Sequence, residues 1–389
     1  MKICAVIAEY NPLHLGHLIH LDYVKNTLEA DKIIVVMSGN FTQRGEIAVT
    51  DKFKRARQAI TAGADMVIEL PTVFATANAE TFAKGAVGII DRLGVVDQLC
   101  FGVESGSKQE YLDLAYALND ESKEFKRALK DCLNEGNSLA KAKVQAVKQL
   151  GKQVNVDLVS SPNNLLGIEY TKALVKLNSN IQIEPMIRSG NHNDKSLKKG
   201  VTSASSIRET LKTGKIKKVK GNLPQYSYKD LTGYPRGLDK LVLSALITSD
   251  AKKIALCPDC SEGLENRLKA LSKDNKDLEL LVEKATSKRY TSSRIRRILL
   301  ANLFNITSEF TTECLNSIPY AKVLAVSPQS KDLLSHVCTN ASLPVITRSN
   351  DLLGLKKTAE KCYRLDLLAN DIYELATDQK VMENHFIVK

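Results

Sequence analysis

No apolar run in these 389 residues approaches the ~18 needed to cross a bilayer, so no membrane-spanning segment is expected. The first apolar stretch breaks at Glu9 and lacks a small-residue cleavage pattern, which argues against a secretory leader. A cytoplasmic location is therefore expected. Cysteine is sparse and dispersed (Cys4, Cys100, Cys132, Cys257, Cys260, Cys314, Cys338 and Cys362), a pattern foreign to disulfide-stapled secreted domains. Cys257-Pro-Asp-Cys260 has zinc-like spacing, but no second pair or nearby histidine accompanies it, so no metal site is expected there. Internal repeats and low-complexity tails are also missing. Acid is in short supply: 44 Asp and Glu face 55 Lys and Arg, a net charge of +11. Such an excess favours a polyanionic partner such as nucleic acid, although a solvated basic surface gives the same count.

What is present is the pattern of an α/β enzyme. A chain this long is expected to form two domains. Four short β-rich runs open it: Ile3–Ala8, Lys32–Met37, Asp65–Leu70 and Gln98–Val103. Their centres lie about 30 residues apart, the length of a βαβ unit. Helical spacing fills the intervals His17–Glu29, Asp51–Ala62 and Asn78–Leu93. Residues 107–150 and Leu165–Leu177 also read as helical, and Ile181–Ile187 reads as a fifth strand. Continuous apolar strands alternating with helices predict a Rossmann-like, doubly wound parallel sheet. Prolines, glycines and tyrosines around Gly221–Pro235 suggest a boundary, giving domains 1–225 and 226–389. The second is expected to be mostly helical, with short strands at Lys322–Val326 and Leu343–Arg348.

The first strand–helix turn carries the chemistry. Strand ends of this kind are where α/β sheets bind ligands, and a helix N-terminus offers free N–H groups to phosphate. Gly16 lets a nucleotide approach the backbone. His14 and His17 stand three apart on the opening helical turn. Both suit hydrogen bonding to an α-phosphate as charge builds there. Surface or core histidines give the same letters, and a His14/His17/His20 stripe would suit a metal, but no carboxylate or Cys partner lies in the helix. His20 reads as structural.

Asn11, His14, Gly16 and His17 resemble the HxGH signature of the nucleotidyltransferase superfamily. The longer texts are more specific. Glu9–His17, Val36–Glu46, Gly63–Pro71, Pro162–Gly167, Ser203–Arg208, Glu262–Arg267 and Tyr290–Arg297 together resemble the bacterial tRNA(Met) cytidine acetate ligases across nearly the whole chain. Leu15 departs from the Asn that family often carries there, and Leu13 from a common Phe. The resemblance implies a nucleotidyltransferase-type fold and a two-step reaction. ATP activates acetate as acetyl-adenylate. The acetyl group then passes to N4 of the wobble cytidine of elongator tRNA(Met), giving N4-acetylcytidine. It also implies an ATP site formed by Ile7, Ala8, Glu9, Tyr10, Asn11, Pro12, Leu13, His14, Leu15, Gly16, His17, Leu18, Ile19 and His20. Gly102, Asn163 (or its neighbour Asn164) and Arg188 complete it. Ser205, Ser206 and Arg208 resemble the segment that closes the phosphate site, though Ser here also makes an ordinary helix cap. Arg44, between Gly39 and Gly45, serves substrate or turn. Mg2+ is expected with ATP, its ligands unnamed by any acidic cluster.

Two basic runs suit RNA. Lys284–Arg297 holds six Lys and Arg and no acid, with Tyr290 among them. Arg294, Arg296 and Arg297 are the expected tRNA contacts, without acidic partners. Lys195–Lys220 holds nine Lys and Arg against Glu209 alone. Two other functions fit the turn: a small-molecule adenylyltransferase, or a nucleotide-responsive RNA-binding protein without catalysis. Neither uses everything present, since a small substrate needs neither the second half nor the charge.

Overall fold

The computed structural model describes residues 1–381 except 121, 136–138, 152–153, 189–196, 198–199 and 288. Seven strands, β1 (Ile3–Ala8), β2 (Lys32–Ser38), β3 (Met66–Leu70), β4 (Gln98–Val103), β5 (Gln182–Ile187), β6 (Ala321–Val326) and β7 (Val345–Ile346), form one sheet in the order β5-β4-β1-β2-β3-β6-β7. The first five are mutually parallel. Alternation along each strand explains why they read as unbroken apolar runs. Ile3, Ala5, Ile34 and Val36 enter one core, while Cys4, Val6, Ile33 and Val35 enter the core on the opposite face. Pro185 lies in β5, an edge strand, where a missing N–H is tolerated.

The two late strands do not form a sheet of their own. β6 pairs antiparallel with β3, with a register shift between Val67 and Ile68, and β7 runs parallel to β6. Pairing across some 250 residues leaves no local trace in sequence, so the return of the chain to the first sheet was not legible. The expected helix His17–Glu29 also differs. An α-helix runs Leu15–Asp22 and gives way to a π-helical stretch, Tyr23–Thr27.

Helix starts follow capping chemistry. Asp51 accepts from Phe53 and Lys54 N–H before the helix Lys52–Thr61. Ser161 caps Pro162–Leu177, and Ser203 caps Ala204–Lys212. No helix among the described residues is long and apolar enough to cross a membrane.

Candidate active site

The sheet order makes β1 and β4 the switch point. From β1 the chain winds outward through β2 and β3, then returns to β4 on the other side. A crevice at the carboxyl ends of such strands is where open α/β sheets bind ligands. Ile7 and Ala8 end β1, Gly102 lies near the end of β4, and Arg188 follows β5. The expected ATP residues are thus brought to adjacent strand ends.

The turn after β1 is built by its own polar groups. Tyr10 has positive φ, and the Asn11–Pro12 peptide is cis. Asn11 is buried. Its Oδ1 accepts from Val49 N–H at 2.9 Å, its Nδ2 reaches the Ile47 carbonyl at 3.5 Å, and its own carbonyl accepts from Arg208 at 2.8 Å. Asn11 is therefore a brace between the turn and the loop after β2. Glu9 accepts from Gln43 N–H at 2.8 Å, and burial raises its pKa.

His14 is the N-cap of Leu15–Asp22. Its Nδ1 accepts Gly16 N–H at 3.0 Å, and His17 Nδ1 accepts His14 N–H at 3.2 Å, a reciprocal capping box. The rings stack with centroids 3.8 Å apart, and Tyr10 packs edge-on to His17 at 4.8 Å. An imidazole that accepts at Nδ1 carries its proton, when neutral, at Nε2. The caps therefore set both histidines as Nε2–H donors. Gly16 has a packing reason as well: a Cβ there would meet His14 Cε1 at 2.9 Å. Leu13 is buried, Leu15 and Leu18 are half-buried, and Ile19 is exposed. His20 lies deeper, with Nε2 3.3 Å from Cys100 Sγ; burial first, then the Arg188 charge, pushes its pKa down to about 4.

Across the crevice Asn163 and Asn164 differ in what they hold. Asn164 is buried and spent on structure: Oδ1 accepts from Glu104 N–H at 2.7 Å and Nδ2 donates to Ser105 Oγ at 3.0 Å. Asn163 is half-exposed at the helix start. It donates to Glu104 Oε1 at 3.0 Å and accepts from Arg188 at 3.4 Å. Gly102 makes room for Arg188, whose Cδ would lie 2.9 Å from a Cβ. Ser206 and Ser203 share a hydroxyl contact of 2.9 Å at the start of Ala204–Lys212. Arg208 bonds Asn11, Glu46 at 2.9 Å and Ser205 at 3.5 Å. The segment reaches the first turn directly, since a Cβ on Gly16 would lie 3.6 Å from Val201.

A model for the HIGH nucleotidyl transferases matches residues 1–386. A tRNA(Met) cytidine acetate ligase of Clostridium acetobutylicum is 37% identical, covering 94% of this chain and 96% of its own. One from Caldanaerobacter subterraneus is also 37% identical, covering 97% and 96%. The chain belongs to the tRNA(Met) cytidine acetate ligase family. The crystal structure of Thermotoga maritima TmcAL bound with alpha-thio ATP matches with a TM-score of 0.92 at 31% identity over 100% of both chains. The apo form matches at 0.93 and 30% identity.

The arginine run needs correction. Arg296 and Arg297 are not without acidic partners, while Arg294 is held by a carbonyl and a ring. Arg296 pairs with Glu279, and Arg297 lies 3.7 Å from Asp259 and donates to the Gln43 carbonyl at 3.4 Å. Arg294 donates to the Asp259 carbonyl at 2.6 Å and stacks over Tyr290 at 4.8 Å. Their helix, Ser292–Phe304, packs under the loop that holds Asn11. Gly45, at φ 74°, approaches so closely that a Cβ would lie 2.8 Å from Arg297 N. Lys288 lies outside the described residues, as do Lys195, Lys198 and Lys199 of the other basic run. The Arg44 charge acts on the Glu9 carboxyl, lowering its pKa against the effect of burial.

Two residues were missed. Arg55, in Lys52–Thr61, is fully buried and donates to the carbonyls of Thr50 at 2.8 Å, Glu9 at 2.6 Å, Ser38 at 3.1 Å and Gly39. It ties the ends of β1 and β2 together. Glu104 orients Asn163. Arg55 had no sequence signal beyond an arginine at an apolar helical position; Glu104 stands two positions after Gly102, the nearest signal the sequence offered.

Proposed function

We propose that the protein is an ATP-dependent ligase that activates acetate as acetyl-adenylate and acetylates N4 of the wobble cytidine of elongator tRNA(Met). The supporting observation is the pair of Nδ1-capped histidines, each set as an Nε2–H donor at the sheet's switch point. Family membership and the nucleotide bound by the Thermotoga relative support the same reading.

In the first step an acetate oxygen attacks the α-phosphorus of ATP. The bond from that phosphorus to the bridging oxygen breaks, and pyrophosphate leaves. His14 and His17 meet the charge that accumulates on the α-phosphate oxygens, and being fixed beforehand they need no reorganisation. Arg188 and Asn163 hold the nucleotide across the crevice. Ser205 and Ser206, on the segment pinned by Arg208, border the phosphates; Arg208 itself, with its guanidinium on Asn11 and Glu46, acts as a brace. In the second step the cytidine N4 attacks the acetyl carbonyl carbon, its proton is lost, and AMP leaves. Among the described residues no three His, Cys, Asp or Glu side chains are placed to hold a metal. Magnesium would enter with the triphosphate of ATP and supply charge neutralisation there, and no step is routed through it.

The test is ATP–pyrophosphate exchange with and without acetate and tRNA. Acetate-dependent exchange without tRNA, followed by tRNA-dependent acetyl transfer, is expected. Exchange indifferent to acetate would overturn the reading.

A further inference from the structure

Resting on that reading, we propose that RNA docks its phosphate backbone on the lysine-bearing faces of the 3-10 segment Ile216–Asn222 and the turn before it. The segment follows a period of three. Ile216, Val219 and Asn222 therefore share one side, and Val219 and Asn222 are buried. The remaining sides carry Lys215, Lys217, Lys218 and Lys220, all exposed. None of the four forms an ion pair or a side-chain hydrogen bond among the described residues; Lys212, just before them, is already paired with Glu209 at 3.0 Å. Arg296 and Arg297, by contrast, have acidic partners. A phosphate arriving at Arg296 or Arg297 must displace a carboxylate, whereas one arriving at these lysines displaces only water and counterions.

The ridge is also held rigidly beside the nucleotide turn. Val219 sits in a small apolar cluster with Val49, Ile207, Leu211, Leu223 and Leu231. Val49 donates its N–H to Asn11 at 2.9 Å, and Asn222 donates to the Gly200 carbonyl at 2.7 Å. Backbone phosphates held there lie one packed layer from the turn that carries His14. Lysines act as point charges and suit backbone tracking without sequence readout.

The experiment uses the full chain with all four lysines changed to Gln, and a companion with all four changed to Arg. Elongator tRNA(Met) affinity is measured across a salt titration, beside tRNA-independent, acetate-dependent exchange and thermal melts. Each lost phosphate contact removes ~0.7–0.9 from the log–log salt slope. The Gln variant is expected to lose about three units of slope and at least about tenfold in affinity at low salt. Its exchange rate and melting temperature should match the parent, and the Arg variant should keep the slope. An unchanged slope in the Gln variant, with tRNA still acetylated, would overturn the surface while leaving the ligase reading standing. A fall in exchange at limiting ATP would assign the lysines to the nucleotide instead and overturn the RNA surface. Failure of the parent protein to bind or acetylate tRNA would overturn the ligase reading, and the surface with it.

Discussion

Single side chains in the crevice divide by what else they hold. His14 and His17 spend Nδ1 on the helix start, which places the proton of each neutral ring on Nε2. Replacing either with Ala should slow acetate-dependent exchange on the order of 100-fold, since one fixed donor typically supplies that much. The exchange assay at saturating ATP checks it, and near-normal rates in both variants would remove the histidines from the reaction. Asn163 and Asn164 should behave differently despite being neighbours. Asn164→Ala strands the Glu104 N–H and should cost about 2 kcal/mol of stability. Asn163→Ala and Arg188→Ala should leave the apo melting temperature nearly unchanged and shrink the rise produced by added ATP. His20 supplies a pH test. Its folded pKa, about 4, lies below the unfolded value near 6.5. Between those values the unfolded chain binds a proton that the folded one refuses, so stability is full above about 6.5 and falls as pH drops toward 4. His20→Gln should therefore lose less melting temperature than the parent between pH 7.5 and pH 5. Equal losses would mean that His20 is not held neutral.

At the scale of elements, the loops at the ends of β1 and β2 are knit by charges that the sequence disguised. Arg55 lies in a helix whose pattern reads as amphipathic, and nothing local shows that its guanidinium turns inward to four carbonyls. Arg55→Met should cost on the order of 3 kcal/mol or more, because buried carbonyls lose their donors. Urea unfolding monitored by far-UV circular dichroism checks it; a loss under about 1 kcal/mol would show that water replaces the guanidinium. The five parallel strands were legible because each carries its own apolar run, and the turn after β1 because its histidines, glycine and strand end are close in sequence. The pairing of Arg296 and Arg297 was hidden for the complementary reason. Arg296 meets Glu279 and Arg297 meets Asp259, partners 17 and 38 positions away that no local count of charge reveals. The lysines of Ile216–Asn222 escaped such pairing because their inward side is apolar and their outward sides meet solvent.

At the scale of the whole molecule, the boundary expected near residue 225 separates segments that the sheet rejoins. β6 covers the edge of β3, and a buried network crosses the same seam. Glu69 on β3 bonds Lys52 at 2.6 Å and lies 3.6 Å from Lys322 on β6. Asp366, on the C-terminal helix Lys357–Thr377, accepts from Thr72 N–H at 2.7 Å and Tyr320 at 2.5 Å. Asn40, just after β2, donates to Asn370 at 3.1 Å on that same helix. A fragment of residues 1–225 would keep the nucleotide turn in sequence. It would also expose the edge of β3, strip the cover from a buried carboxylate and leave Thr72 N–H without its acceptor. Each such loss costs about 1–3 kcal/mol, against a typical domain stability of only about 5–15 kcal/mol. The fragment should therefore fail to unfold cooperatively and should gain no melting temperature from ATP, whereas the full chain is expected to unfold cooperatively and to gain melting temperature from ATP. Adding residues 226–381 as a separate chain should restore ATP-induced stabilisation if the seam is what was missing. A cooperative, ATP-responsive fragment 1–225 would instead show that the first five strands and their helices stand alone, and that β6 and the C-terminal helix are a cover rather than a part of the nucleotide-binding unit.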